Sequence, residues 1–279
     1  MRALEQELTF NALAEVLRQS PPLQIATRLW LCHGTWHPRG VVLELRWRRV
    51  ADALVQMCNA ILMRQPTCSL ALSGGKTPET LYRLLSTRRY REALDWSRVY
   101  LFWGDERYVP HDDPRSNYQM AYRAWLRKAG IPAANIHPMP THYPDPDAAA
   151  RAYEAELRAY FGDTKPFPRF DLVLLGLGED GHIASLFAGD PALGEQTRWV
   201  VPSCAPTEPS QRLTLTLPVL NHAQRIWFLV AGESKRAVIA RLFQGPPDPT
   251  LPATQLSPIG ECFWWLSKEL RKMLTLLQP

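Results

Sequence analysis

The sequence predicts an α/β fold, a mostly parallel sheet covered by helices on both faces. Two observations carry this. Short, nearly continuous apolar runs such as CSLAL, VYLFW and RIWFLVAG have the composition of strands buried on both faces. They alternate with segments of helical period, the order that crossover helices impose on a parallel sheet.

Taken in order, residues 1–40 follow no clean period. Phe10, Leu13 and Leu17 share one helical face and mark a short amphipathic helix over 9–18, though Leu4 and Leu8 fall off that stripe. The stretch is treated as an N-terminal extension without an assigned role, and residues 41–279 as one catalytic domain. A helical pattern runs from about 44 to 64, and CSLAL (68–72) follows as a buried strand. PETLYRLLS (78–86) is a helix with Pro78 in its first turn, where a missing N–H costs nothing. VYLFW (99–103) is a strand. SNYQMAYRAWLRKAG (116–130) is a helix with Ser116 or Asn117 near its cap and Gly130 at its end. DAAARAYEAELRAYF (147–161) is the clearest helix. FDLVLLGLG (170–178) opens as an apolar strand, and RLTLTL (212–217) alternates. RIWFLVAG (225–232) is a strand that leads into the helix ESKRAVIARLF (233–243), and a last helix fills the second half of WWLSKELRKML.

The chain has 279 residues, 46% of them hydrophobic, enough for a substantial core. Its net charge of +5 is dispersed among acids, with no basic run longer than RWRR (46–49) and no aromatic–basic repeat. That disfavours a nucleic-acid surface and suits a small anionic substrate. The five cysteines form no CxxC pair and are odd in number, which points to a reducing compartment. No basic segment followed by an unbroken apolar run opens the chain, and no stretch reaches the ~20 apolar residues of a membrane span. A cytoplasmic protein is expected.

Ligands of such folds sit beyond the carboxyl ends of the strands, which selects four loops: 73–77, 104–107, 176–182 and 232–235. SGGKTP (73–78) invites a nucleotide P-loop, but GxxxxGK[ST] would need glycine at Leu70. What remains is either a shorter anion cradle of Ser73, Gly74, Gly75 and Thr77 at a helix start, or an ordinary tight turn. GLGEDG (176–181) spells GxGxxG, but a dinucleotide fold also needs a sustained helix and an acidic residue ending the next strand. HIASLF is soon interrupted by Gly189 and Pro191, and the region near 196–200 lacks an acid at a strand end. His182 follows this glycine turn, two residues after Asp180, a carboxylate placed to fix its tautomer and raise its basicity. That makes His182 a candidate general base. GDER (104–107) is either a solvated charged turn or a contributor to the same sheet edge. On the second reading Arg107 binds carbonyl or phosphate oxygens and Asp105 receives sugar hydroxyls, with Asp113, Ser116 and Asn117 in support. Arg212 and Lys235 can complete a phosphate site with the 73–77 loop.

SGGKTP, GDERYVPHDDPRSN, GLGEDGHIASLF, PSQRLTLT and GESK, in this order, resemble the 6-phosphogluconolactonases over about residues 45–275. The resemblance implies the modified Rossmann-like fold shared with glucosamine-6-phosphate deaminases, ribose-5-phosphate isomerases and coenzyme A transferases. It implies hydrolysis of 6-phospho-D-glucono-1,5-lactone, the second step of the oxidative pentose phosphate pathway, with no metal or organic cofactor. His182 would activate water, Asp105 and Arg107 would contact the lactone, and Ser73 to Thr77, Arg212 and Lys235 would bind phosphate. Association with the preceding enzyme, glucose-6-phosphate dehydrogenase, is a further expectation. The deaminases are the nearest alternative. Their GHIAFNEPG carries a glutamate five residues after the histidine, where this chain has Phe187, and their DEY-type segment is DER here. A non-catalytic sugar-phosphate binder is the alternative from another class, and the retention of Asp105, Arg107 and His182 together speaks against it. SLFAG also departs from the family's SLFPG at Ala188, and Ser267 stands where an Asp is usual.

Overall fold

The computed structural model describes residues 40–244 and 248–276. The helix expected over 9–18 lies outside them. Strand β1 (Val41–Glu44) leads into α1 (Trp47–Leu62), then β2 (Cys68–Leu72), α2 (Lys76–Leu85), β3 (Val99–Trp103) and β4 (Asp105–Arg107). Helix α3 (Asn117–Ala121) runs on through a π-helical Tyr122–Leu126 and a last turn, Arg127–Ala129. There follow α4 (Pro146–Phe161), β5 (Leu172–Leu175), β6 (Val200–Cys204), β7 (Gln211–Leu215) and α5 (Leu217–His222). Strand β8 (Arg225–Val230), α6 (Arg236–Gln244), β9 (Glu261–Leu266) and α7 (Lys268–Leu276) complete the series.

Six strands form one sheet in the order β1-β9-β8-β5-β2-β3, every pair parallel. The chain builds β3 on one side of β2, then returns to build β5, β8 and β9 on the other. The order reverses between β2 and β5, and the cleft at such a switch point is where this architecture binds ligands. A separate three-stranded antiparallel sheet, β4-β7-β6, follows β3 directly.

Local chemistry explains the elements. Strands β2 and β5 are buried along their whole length, which suits their unbroken apolar composition. Helix α1 buries Val50, Leu54, Cys58 and Leu62, a strict i, i+4 stripe. Asp145 caps α4 by accepting from the N–H groups of Asp147 and Ala148, and Pro146 stands in the first turn. Tyr153 of α4 ties that helix to the sheet: its hydroxyl donates to the His137 carbonyl at 3.0 Å and accepts from Trp103 N–H at 2.9 Å. Across β8 and β9 the register partners Phe228 and Trp264 stack with centroids 3.7 Å apart. Among the described residues no helix is long and apolar enough to cross a membrane.

Three strands are among the differences between the structure and the sequence reading. Residues 41–44 form an edge strand, where only the start of a helical pattern was expected. Residues 105–107, read as a loop, form β4. Residues 200–204 form β6, an edge strand that accommodates Pro202 at the rim of its sheet.

Candidate active site

All four loops selected from the sequence meet at one cavity of about 340 Å³, lined among others by Ser73 to Thr77, Asp105, Arg107, His182 and Lys235. The loops that follow β2 and β5 flank the switch point, and Lys235 enters from the turn after β8.

The 73–77 loop is held from behind by Tyr82. Its buried hydroxyl donates to the Ser73 carbonyl at 2.9 Å and accepts from Ser73 N–H at 3.1 Å. Burial raises the Tyr82 pKa, so this clamp stays protonated. The N-cap of α2 is Gly75, which brings no side chain to cap the first N–H groups of the helix, and Gly75, Lys76 and Thr77 line the cavity. Gly74 is required by close approach: a Cβ there would fall 1.8 Å from Oδ1 of Asn117 at the start of α3. Thr77 and the exposed Lys76 complete the rim. Lys235 is largely buried and has Nζ 4.0 Å from Oε1 of Glu179.

His182 lies on the loop after β5, with Nδ1 2.6 Å from Oδ1 of Asp180. That contact holds the Asp180 carboxyl below its usual pKa, so the pair meets as carboxylate and ring N–H. A carboxylate only accepts, hence Nδ1 donates in this contact, and in the neutral ring Nε2 is the nitrogen that carries the lone pair. Gly178 makes room for this geometry, since a Cβ there would fall 2.0 Å from Nδ1. The ring packs against Phe187, centroids 4.6 Å apart, so an aromatic ring occupies the neighbourhood where the deaminase pattern places an acid.

Alternation along β4 sorts its charges. Asp105 and Arg107 share one face of the small sheet with their partners Thr214 and Arg212, while Glu106 points to the other. The Asp105 carboxylate accepts from Ser185 Oγ at 2.6 Å and from Asn117 Nδ2 at 3.4 Å. Arg107 donates to the Arg115 carbonyl at 2.6 Å. Arg212 is 7% exposed and its buried Nε has no partner. Burial, with Arg107 alongside, lowers its pKa. A guanidinium so placed favours a nearby anion. It stands across the β4–β7 pair from Arg107 and is not among the residues lining the cavity itself. Asp113 accepts from Arg115 Nη2 at 2.7 Å, and the Arg115 carbonyl is the acceptor of Arg107, so Asp113 reaches this loop through Arg115.

Sequence reasoning missed Glu106, Ser185 and Tyr82. Glu106 is fully buried and accepts from the N–H groups of Arg107, Asn117 and Tyr118 and from Ser116 Oγ, at 2.7 to 3.0 Å. Burial pushes its pKa up to about 7 against those donors. The signal available was the run DER read as a strand, which turns its middle residue away from the cavity and toward the helix beginning at 117. Among the described residues no group of three or more His, Cys, Asp or Glu side chains could hold a metal.

The family described as glucosamine-6-phosphate isomerases/6-phosphogluconolactonase matches residues 44–265. A 6-phosphogluconolactonase of Synechocystis sp. is 47% identical over 203 residues, 72% of this chain and 82% of that protein. The 6-phosphogluconolactonase structure from Trypanosoma cruzi superposes with a TM-score of 0.78 at 30% identity, covering 87% of this chain and all of that one. A human protein named GDH/6PGL endoplasmic bifunctional protein is 36% identical over 204 residues, 71% of this chain and 25% of that protein.

Proposed function

The chain belongs to the glucosamine-6-phosphate isomerase and 6-phosphogluconolactonase family, and from that premise we propose that it hydrolyses 6-phospho-D-glucono-1,5-lactone to 6-phospho-D-gluconate. The observation that carries the mechanism is the His182–Asp180 pair, held with Nδ1 protonated in the same cavity as the 73–77 anion cradle. Nε2 of His182 takes a proton from water as its oxygen attacks the lactone carbonyl carbon. The carbonyl oxygen becomes an oxyanion that the Arg107 guanidinium stabilises. The ring C–O bond then breaks, the leaving oxygen takes the proton from His182, and the product is the open-chain acid. Asp105 receives ring hydroxyls. Ser73, Gly74, Gly75, Thr77 and Lys235 hold the phosphate, and Arg212 adds positive potential from beside Arg107. Phosphate binding remote from the carbonyl positions the ring for attack.

Residues 41–279 form the catalytic domain on this reading. Cytoplasmic residence accords with four free cysteines among the described residues, and cell fractionation tests it. Association with glucose-6-phosphate dehydrogenase is supported by the double name of the human relative, and co-sedimentation of the two purified enzymes tests it.

The function is tested by generating the lactone in situ from glucose 6-phosphate and following its disappearance with and without the protein. Glucosamine 6-phosphate serves as control. Faster lactone loss without ammonia release is the expected result, whereas ammonia from the control sugar would move the chain to the deaminase branch. Phe187 beside His182, in place of an acid, favours the first outcome.

A further inference from the structure

We propose that Ser185 is a positioning residue that locks the Asp105 carboxylate to the turn carrying His182, so that the group holding the lactone and the group activating water are fixed as one unit. The inference rests on the lactone-hydrolase reading above and extends it to a residue that touches no substrate.

Ser185 is 1% exposed, and each of its polar groups is engaged. Its hydroxyl donates to Asp105 Oδ2 at 2.6 Å, its N–H donates to Thr214 Oγ1 at 3.2 Å, and its carbonyl accepts from Ser203 Oγ at 2.7 Å. Three strands' worth of the small sheet therefore converge on one serine: Asp105 from β4, Thr214 from β7 and Ser203 from β6. The turn before it is equally defined. Leu186 N–H closes on the Ile183 carbonyl at 2.9 Å, and Ala184, which lines the cavity, sits at φ 48°. A left-handed alanine persists only where its neighbours over-determine it, and Ser185 supplies that anchoring on one side.

Asp105 needs the contact. Among the described residues no lysine or arginine forms an ion pair with it, so two neutral donors hold its carboxylate. The serine bond has the length of a charge-assisted O–H···O contact, while the asparagine contact, at 3.4 Å, is near the limit of a hydrogen bond. Without the serine hydroxyl the carboxylate is free to turn away from the lactone.

The test is a double-mutant cycle on lactone hydrolysis with Ser185→Ala, Asp105→Asn and both together, beside Ser203→Ala. Ser203 is also buried and bonds to Ser185, but to its main-chain carbonyl and without reaching Asp105. We expect Ser185→Ala to lower kcat/KM by about 10- to 100-fold, the scale of a misplaced substrate-holding group. In the Asp105→Asn background the same change adds nothing further, and Ser203→Ala stays within about threefold of the native enzyme, because its bond does not touch a substrate-holding group. Losses that multiply, or equal losses in the Ser185 and Ser203 variants, would mean a purely structural serine and overturn the inference. If Ser185→Ala does not fold, Ser185→Cys, a slightly larger side chain with only a weak donor, takes its place in the cycle, with the same two outcomes. A native protein without lactonase activity overturns the underlying reading and this inference with it. An active native protein with an unimpaired Ser185→Ala overturns this inference alone.

Discussion

Strand β5 reads LVLL and strand β4 reads DER, and both feed the same cavity. The four side chains of β5 are buried and aliphatic, and what holds them is removal from water, roughly 1.5–3 kcal/mol for each such side chain. In β4 two of three charged residues are buried, and what holds them is hydrogen bonding: four donors on Glu106, two on Asp105. A buried charge without partners is costly, so β4 is stable only as part of a satisfied network. The large sheet can therefore lose a methyl group and keep its function per folded molecule. The small sheet loses function when a donor to Asp105 is removed.

Four substitutions break or sharpen this contrast, from the largest effect down. Leu174→Ala at the centre of β5 lowers stability by about 2–5 kcal/mol in chemical denaturation, while kcat per folded molecule stays native. Lys235→Ala raises KM for the lactone by about 10- to 100-fold through loss of a charge-assisted contact, with kcat nearly unchanged. A loss in kcat alone would remove Lys235 from the phosphate site.

Glu106→Gln turns one acceptor oxygen into a donor facing N–H groups and costs about 1–3 kcal/mol. This gap depends on pH. The folded-state pKa of Glu106 is raised to about 7, so the native fold holds its proton more tightly than the unfolded chain does. The stability this contributes is complete below the unfolded value and is lost as pH rises through about 7. Denaturation midpoints at pH 5 and pH 8 should thus differ more between the two proteins at pH 5. A gap that widens at pH 8 would contradict the assignment. Smallest of all, Glu92→Gln breaks an exposed pair with Arg88 in neither region, and shifts stability by less than about 0.5 kcal/mol.

The same contrast decides what could be read from the sequence. Strands β2, β3, β5 and β8 are apolar runs and were legible, as was the body of α4. Strand β4 was not, because three consecutive charges resemble a solvated turn until a partner strand and a helix start supply their hydrogen bonds. Strand β1 escaped because four residues at a sheet edge are too few to show a period. The site loops were legible because glycines, Asp105, Arg107, His182 and Lys235 follow apolar strands. Ser185 and Tyr82 were not, since a serine in GHIASLF and a tyrosine on an apolar helix face look like ordinary core until their hydroxyls find Asp105 and Ser73. Arg212 was singled out, yet its place beside Arg107 required the β4–β7 register.

The central claim is that one histidine, oriented by Asp180, makes water attack the lactone. The direct measurement is the rate of opening of in situ lactone by His182→Ala, with its thermal midpoint recorded beside that of the native protein. The account predicts a kcat lower by about 10²- to 10⁴-fold, the usual share of a general base, with the midpoint unchanged within a few degrees. Undiminished turnover in a folded His182→Ala would contradict it.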